Sequence, residues 1–281
     1  MNQKHLILQP NSIGNDYIVG DIHGHYSNLM ELLNHIQFNK LTDRLFSVGD
    51  IIDRGPNSIK MINLLDEDWF FSCLGNHEFM MIQSILHNQP QYTECWLNNG
   101  GDWSSIIPKN KLKSLAHKIS NLPLIISIID NINPTNNFNI CHAELINITQ
   151  YNEIIPLSNN DITNWNISNQ IEDNILWGNT IIHSHYNKIN NSYQNINTKY
   201  HDDLTLTYVG HSIPKTYEPI LIQSHLYIDT GCSMQSKNFQ LTSKFKLTII
   251  SPTNKSVHQL LSHSKQYINY TTSNIQQYTH H

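Results

Sequence analysis

The chain has 281 residues, with 22 acidic against 17 basic side chains and a formal net charge of −5. Hydrophobic residues make up 39%, enough for a real core, and the charge balance argues against a basic nucleic-acid footprint. The longest apolar runs, such as Leu122 to Ile129, are too short to span a bilayer.

Met1 to Pro10 lacks a charged start followed by an apolar stretch, so no signal peptide is expected. Cys73, Cys95, Cys141 and Cys232 are dispersed and form no CxxC pair, which favours free thiols over a disulfide framework. Together these features predict a soluble cytoplasmic protein that engages neither membrane nor nucleic acid.

In chain order, the first 90 residues alternate strand and helix. Strand-like runs at Tyr17-Ile18-Val19, Leu45 to Val48 and Phe70 to Leu74 are each followed by helically spaced apolar residues. These are Leu29, Leu32, Leu33 and Ile36, then Ile59, Ile62, Leu64 and Leu65, then Phe79, Met80, Ile82, Ile85 and Leu86. Such alternation suits parallel strands joined by helices. Residues 91–120 read as a helical elaboration, with one apolar face from Leu112, Leu115, Ala116 and Ile119. Strands are expected at Leu124 to Ile129, Phe138 to Cys141, Leu204 to Val209, Ile220 to Ile222, Leu226 to Ile228 and Leu247 to Ile250. The asparagine-rich stretch 143–203 reads as loops with short helices. The predicted catalytic domain is 1–252. Residues 253–281 are expected to be a mobile polar tail, in which Val257, Leu260 and Leu261 offer at most one docking turn.

Three blocks carry the chemistry: Gly20-Asp21-Ile22-His23-Gly24, Gly49-Asp50-Ile51-Ile52-Asp53-Arg54-Gly55 and Gly75-Asn76-His77-Glu78. Asp21 and Asp50 are 29 positions apart and Asn76 lies 26 further on. One strand-helix unit fits each interval, so three strand ends can deliver ligands to a single point. Singly, the aspartates would also suit turns or caps. Together with the histidines they form a carboxylate, imidazole and amide set suited to Mn, Fe or Zn. Two such cations about 3.5–4 Å apart can share a carboxylate and bring the pKa of a trapped water to about 7, giving a hydroxide able to attack phosphorus. His142 and His211 each follow a predicted strand, where an open sheet presents functional residues. Glu78 reads as a residue that caps or orients the helix after the third block. Asp229 reads as a turn residue, and Trp96 and Trp103 as packing residues.

The ordered set GDIHG, GDIIDRG and GNHE, with Ile140-Cys141-His142-Ala143 and Gly210-His211-Ser212, resembles the PPP family of metallophosphatases. Trp96 to Gly101, Asn121 to Leu124 and Tyr227 to Gly231 extend the resemblance to the lambda phage-type and bacterial Ser/Thr protein phosphatase branch, over about residues 16 to 250. The resemblance implies an α+β, four-layer αββα sandwich, two mixed sheets flanked by helices. It implies two divalent ions, manganese above all: one on Asp21, His23 and Asp50, the other on Asp50, Asn76, His142 and His211. It makes His77 the general acid, Asp53 its orienting partner and Arg54 a phosphate clamp.

The implied activity is dephosphorylation of phosphoproteins at serine or threonine, with tyrosine also open. Two alternatives stand beside it: hydrolysis of a small metabolite such as a dinucleoside polyphosphate, and a metal-binding interaction protein with impaired catalysis. The first is motivated by relatives of that activity that share the same centre, the second by a departure from the family. Relatives carry a second clamping arginine after a mid-chain tryptophan, whereas here Ile175-Leu176-Trp177-Gly178-Asn179-Thr180 is followed by none. His183, His185 and Lys188 are the nearby stand-ins.

Overall fold

A computed structural model describes residues 4–148, 154–165, 167–189, 204–234 and 243–278. In the amino-terminal half, strands β1 (His5–Leu8), β2 (Asp16–Val19), β3 (Arg44–Ser47) and β4 (Phe70–Ser72) are interleaved with helices α1 (Tyr26–His35) and α2 (Ser58–Leu64). Helices α3 (Asn76–Ile85), α4 (Pro90–Asn98) and α5 (Lys109–Ile119) follow, with a 3-10 helix over Gly101–Ile106 between the last two. Then come β5 (Ile125–Ile128), β6 (Phe138–Cys141), β7 (Ile146–Ile148), β8 (Ile154–Pro156), α6 (Asn159–Thr163), α7 (Asn169–Trp177) and α8 (Thr180–Ile189). The chain closes with β9 (Thr207–Val209), β10 (Ile220–Ile222), β11 (His225–Tyr227), β12 (Lys246–Ser251), β13 (Ser256–Leu261), β14 (Tyr267–Thr271) and β15 (Gln276–Tyr278).

Two mixed sheets result. One runs β1-β5-β6-β9-β11-β10-β15 and the other β14-β13-β12-β2-β3-β4. Period-two alternation splits each strand between layers. Ile18 of β2 and Phe46 of β3 join Ile126, Ile140, Tyr208 and Ile250 in the cluster between the sheets. Their neighbours Tyr17, Val19 and Leu45 instead join Leu29, Leu32, Met61, Leu115 and Ile119 of α1, α2 and α5. On the far side, Ile125 and Cys141 pack with Ile171, Ile175, Ile181 and Ile182 of α7 and α8. This is the expected four-layer sandwich of two mixed sheets flanked by helices.

Residues 256–278 depart from the expected mobile tail. Strand β13 pairs antiparallel with all six residues of β12, β14 pairs with β13, and β15 pairs parallel with β10 in the other sheet. Val257 is buried between the sheets and Leu260 against the helices, so neither belongs to a docking turn. The polar composition hid this because a glutamine takes a core position. Gln259 is fully buried and donates from Nε2 to Thr248 Oγ1 at 3.1 Å. With Gln259 counted as polar, the remaining apolar spacing loses its strand period.

Buried His225 on β11 makes stability pH-dependent. Its Nε2 accepts from the Leu145 N–H at 3.0 Å, and burial pushes its pKa down to about 3. The unfolded chain binds the proton near the ordinary value of about 6.5. Between those two pH values the unfolded state therefore holds more protons, and stability falls as pH falls, by up to about 1.4 kcal/mol per unit. His225→Gln is expected to flatten the slope of urea-unfolding free energy between pH 6.5 and 4.5. An unchanged slope would exclude His225 as its source.

Candidate metal centre

Parallel strands β2, β3 and β4 end at one edge of their sheet, followed by Asp21, Asp50 and Asn76. In the facing sheet, parallel strands β6 and β9 end at His142 and His211. The close approach of these loops requires glycine at two points. A Cβ on Gly210 would lie 2.0 Å from Asp21 Oδ1, and one on Gly75 would lie 2.3 Å from Asp50 Oδ1. The backbone is held in the left-handed region at His23, Asp50, Asp53, Arg54 and His211 (φ 46, 49, 72, 64 and 61°). Such strain persists where surrounding structure fixes it, and it clusters at functional sites.

The side chains converge. Ligand atoms of Asp21, Asp50 and His142 lie within 4.8 Å of one another, and those of His23, Asp50 and His77 form a second such group. Asp50 is common to both, but neither group coincides with the ligand sets implied above: Asp21 falls with His142, and His23 with His77. The histidine tautomers suit cations. His23 Nδ1 donates to the Ile52 carbonyl at 2.9 Å, and His142 Nδ1 faces the Val48 carbonyl at 3.3 Å. These backbone acceptors leave the His23 and His142 Nε2 lone pairs pointing inward, the arrangement that orients metal-binding imidazoles. The His211 ring sits edge-on to that of His142, with centroids 5.1 Å apart. His142 Nε2 lies 2.9 Å from Asn76 Oδ1 and 3.4 Å from Asp50 Oδ1, three acceptors meeting with no hydrogen between them. With its amide turned over, Asn76 would instead donate to His142 Nε2 and both Asp50 oxygens. The donor set fits divalent cations: with oxygen inward, Asn76 becomes one more hard ligand.

Electrostatics divide the four central imidazoles. Burial pushes the pKa values of His23, His142 and His211 down, that of His142 to about 4, so all three are neutral and able to ligate. His77 differs. Burial alone would lower it, but the Asp50 and Asp53 carboxylates outweigh burial and raise it. His77 Nδ1 donates to Asp53 Oδ2 at 2.7 Å. Arg54 guanidinium nitrogens lie 2.8 Å from His23 Nε2 and 3.0 Å from His77 Nε2, so Arg54 shares the mouth of the site.

Supporting residues emerge that the sequence did not single out for this purpose. Glu78, expected to cap or orient α3, does accept from Gly75 N at 3.0 Å. It also accepts from Asp50, Ile51 and Ile52 N–H groups at 2.8, 3.0 and 3.2 Å, fixing the whole second block from beneath. Glu78→Ala would leave four buried donors unsatisfied at about 1–3 kcal/mol each before relaxation. We expect a loss of roughly 3–5 kcal/mol in metal-free urea unfolding. A loss below about 1 kcal/mol would show that water replaces the carboxylate. Asp229 accepts from Gly231 N at 2.9 Å, the expected turn role. Burial outweighs the Gly231 N–H and the Arg54 charge and pushes its carboxyl up to about 6. Trp96 and Trp103 pack as expected, yet both indoles donate to Asp53 Oδ2 and Oδ1, at 2.9 and 2.7 Å. Of the arginine stand-ins, His183 is exposed. His185 packs edge-on against Tyr278 of β15, three strands beyond β9 and so about 14 Å from it. The Lys188 side chain lies outside the described part.

Fold and ligand geometry together define a two-sheet sandwich with a candidate cation cluster at its strand ends, the layout of a metal-dependent hydrolase. The calcineurin-like phosphoesterase profile matches residues 17–214, and the chain belongs to that family, whose members use a dinuclear metal centre. Over 132 residues it is 39% identical to serine/threonine-protein phosphatase 2 of Escherichia coli (strain K12), covering 46% of this chain and 57% of that protein. Over 69 residues it is 44% identical to the symmetrical bis(5'-nucleosyl)-tetraphosphatase of Coxiella burnetii (strain Dugway 5J108-111), covering 24% of each. The chain thus spans little more than half of the first relative and a quarter of the second. A protein serine/threonine phosphatase structure from Saccharomyces cerevisiae shares the fold, with TM-score 0.52 at 14% identity over 99% of this chain and 85% of that one. No helix among the described residues is long and apolar enough to cross a membrane.

Proposed function

We propose that this chain is a metal-dependent phosphomonoesterase acting on phosphoserine or phosphothreonine in proteins, with manganese as its metal pair. The observation that carries the reading is the convergence of Asp21, His23, Asp50, Asn76, His142 and His211 beside a His77 whose Nδ1 is held by Asp53. Asp21, His23 and Asp50 would hold one cation; Asp50, Asn76, His142 and His211 would hold the other. When bound, the two cations supply a nucleophile from water at neutral pH and positive charge for the phosphoryl oxygens.

The chain's own residues do the rest. Arg54 turns its forked donors onto the phosphate. His77, whose protonated form its two carboxylate neighbours favour, delivers a proton from Nε2 to the departing alkoxide. Asp53 holds His77 Nδ1–H and so keeps Nε2 aimed at the mouth. The longer match, to a protein phosphatase, supports a phosphoprotein substrate.

A second reading, hydrolysis of a dinucleoside polyphosphate, draws on the Coxiella relative and on the missing arginine after Trp177. The retained His77–Asp53 pair speaks against a mere metal-binding scaffold, which needs no leaving-group acid. The test is the manganese-loaded protein assayed side by side on phosphoserine, phosphothreonine and phosphotyrosine peptides and on a dinucleoside tetraphosphate, against a chelated control. Phosphopeptide turnover that disappears with chelation supports the first reading. Cleavage of the nucleotide alone selects the second.

A further inference from the structure

The segment from α4 through the 3-10 helix supplies none of the proposed metal ligands, yet it touches the second block at three polar points. Trp96 of α4 donates to Asp53 Oδ2, and Trp103 of the 3-10 helix donates to Asp53 Oδ1. Between them, the Gly100 carbonyl accepts from the Arg54 N–H at 3.2 Å. Asp53 is wholly buried, and its own N–H donates to Ser58 Oγ at 2.9 Å. Both carboxylate oxygens are thus fixed from outside by indoles, while Oδ2 also receives His77. The two rings meet edge to face at 88°, so neither can turn without displacing the other. Gly100 has φ +104°, and a Cβ there would lie 2.7 Å from Arg54 N, so only glycine admits this contact.

We infer that this hairpin is the positioning element for the two groups that act beside the metals: Trp96 and Trp103 hold the Asp53 carboxylate that aims His77, and Gly100 seats Arg54. The inference rests on the role proposed above for His77. Asp53 held by His77 alone could rotate about χ2 and carry the ring with it. With one indole donor on each oxygen, the carboxylate plane is set, and so is the plane of the imidazole that donates to it. The indole nitrogens, rather than the bulk of the rings, are the working parts.

The test replaces Trp103, which is half-buried, by phenylalanine, removing the N–H and keeping an aromatic ring. Trp103→Phe is expected to lower turnover of a phosphoserine peptide about 10-fold, a fraction of the ~10²–10⁴ a general acid contributes, with p-nitrophenyl phosphate falling less than about 3-fold. Metal content should stay at wild-type level. In an Asp53→Asn background the same substitution should add nothing, because its route is already cut. Equal losses on both substrates, or a full multiplicative effect in the Asp53→Asn background, would overturn the inference. Trp96→Phe repeats the test from the other oxygen and should give the same pattern.

An arm independent of turnover follows the His77 ring proton by NMR, assigned by its absence in His77→Asn. Trp103→Phe should speed its exchange with water about 10-fold. An unchanged exchange rate overturns the inference even if the wild-type protein hydrolyses neither substrate. Failure of both substrates with the NMR effect intact would instead count against the phosphomonoesterase reading.

Discussion

Asp50→Asn is expected to empty both cation sites at once. Asp50 is the one carboxylate shared by the two ligand groups, and it lies 3.4 Å from His142 Nε2 and 3.5 Å from His23 Nε2. Burial alone would raise its pKa, but His142, His77 and His23 outweigh burial and hold it well below the usual carboxylate range. It is therefore a full negative charge at neutral pH. At an effective dielectric of about 20, one charge acting across about 4 Å is worth about 4 kcal/mol, or roughly 10³-fold in affinity. The variant loses that at each site, so turnover at micromolar manganese should fall by at least about 10³-fold. Elemental analysis after gel filtration should find both equivalents of metal largely lost. Retention of both would contradict a bridging Asp50. The variant also loses the charge that helps hold His77 protonated, so excess manganese should restore binding before it restores turnover on alkyl phosphates.

The legible parts of this fold are those in which local chemistry and tertiary role agree. Leu29, Leu32 and Leu33 face the sheet because an amphipathic helix has nowhere else to bury them, and the sequence spacing says so. The placement of the blocks around Asp21, Asp50 and Asn76 is legible because each follows a strand, and parallel strands β2, β3 and β4 end side by side. Three features were not legible, each for its own reason. Strand β1 is four residues at a sheet edge, only half-buried, and shows no clear alternation. Strand β13 carries a buried glutamine whose partner, Thr248, lies on another strand, and sequence spacing cannot reveal such a partner. Trp96 and Trp103 read as packing residues in the sequence because an indole is mostly hydrocarbon. Their N–H groups acquire a role only when the hairpin folds back over Asp53, 43 and 50 positions earlier in the chain. The role of Glu78 is half legible: its local hydrogen bond to Gly75 follows from sequence position, and its long-range ones to the second block do not.

His77→Asn is expected to separate two roles that geometry alone leaves alike. A histidine whose Nδ1–H is held by a carboxylate and whose Nε2 faces a cation cluster is also the pattern of a metal ligand. His77 falls in a cation-sized group with His23 and Asp50. Charge separates the two readings. Burial leaves His23, His142 and His211 neutral, whereas the carboxylates of Asp50 and Asp53 keep His77 above its ordinary value. The upward shift favours the protonated form, which cannot ligate but can donate. The variant should therefore keep the wild-type metal content. It should lose about 10²–10⁴-fold in turnover of a phosphoserine peptide, whose alkoxide leaves poorly without a proton. On p-nitrophenyl phosphate the loss should stay within about 10-fold, since that leaving group departs as a stable anion. Loss of one metal equivalent, with equal damage to both substrates, would make His77 a ligand and remove the acid from the mechanism. The same substitution frees one lone pair on Asp53 Oδ2 while Trp96 and Trp103 still hold the carboxylate, so the second block should keep its shape and the metal result can be read without a collapsed site.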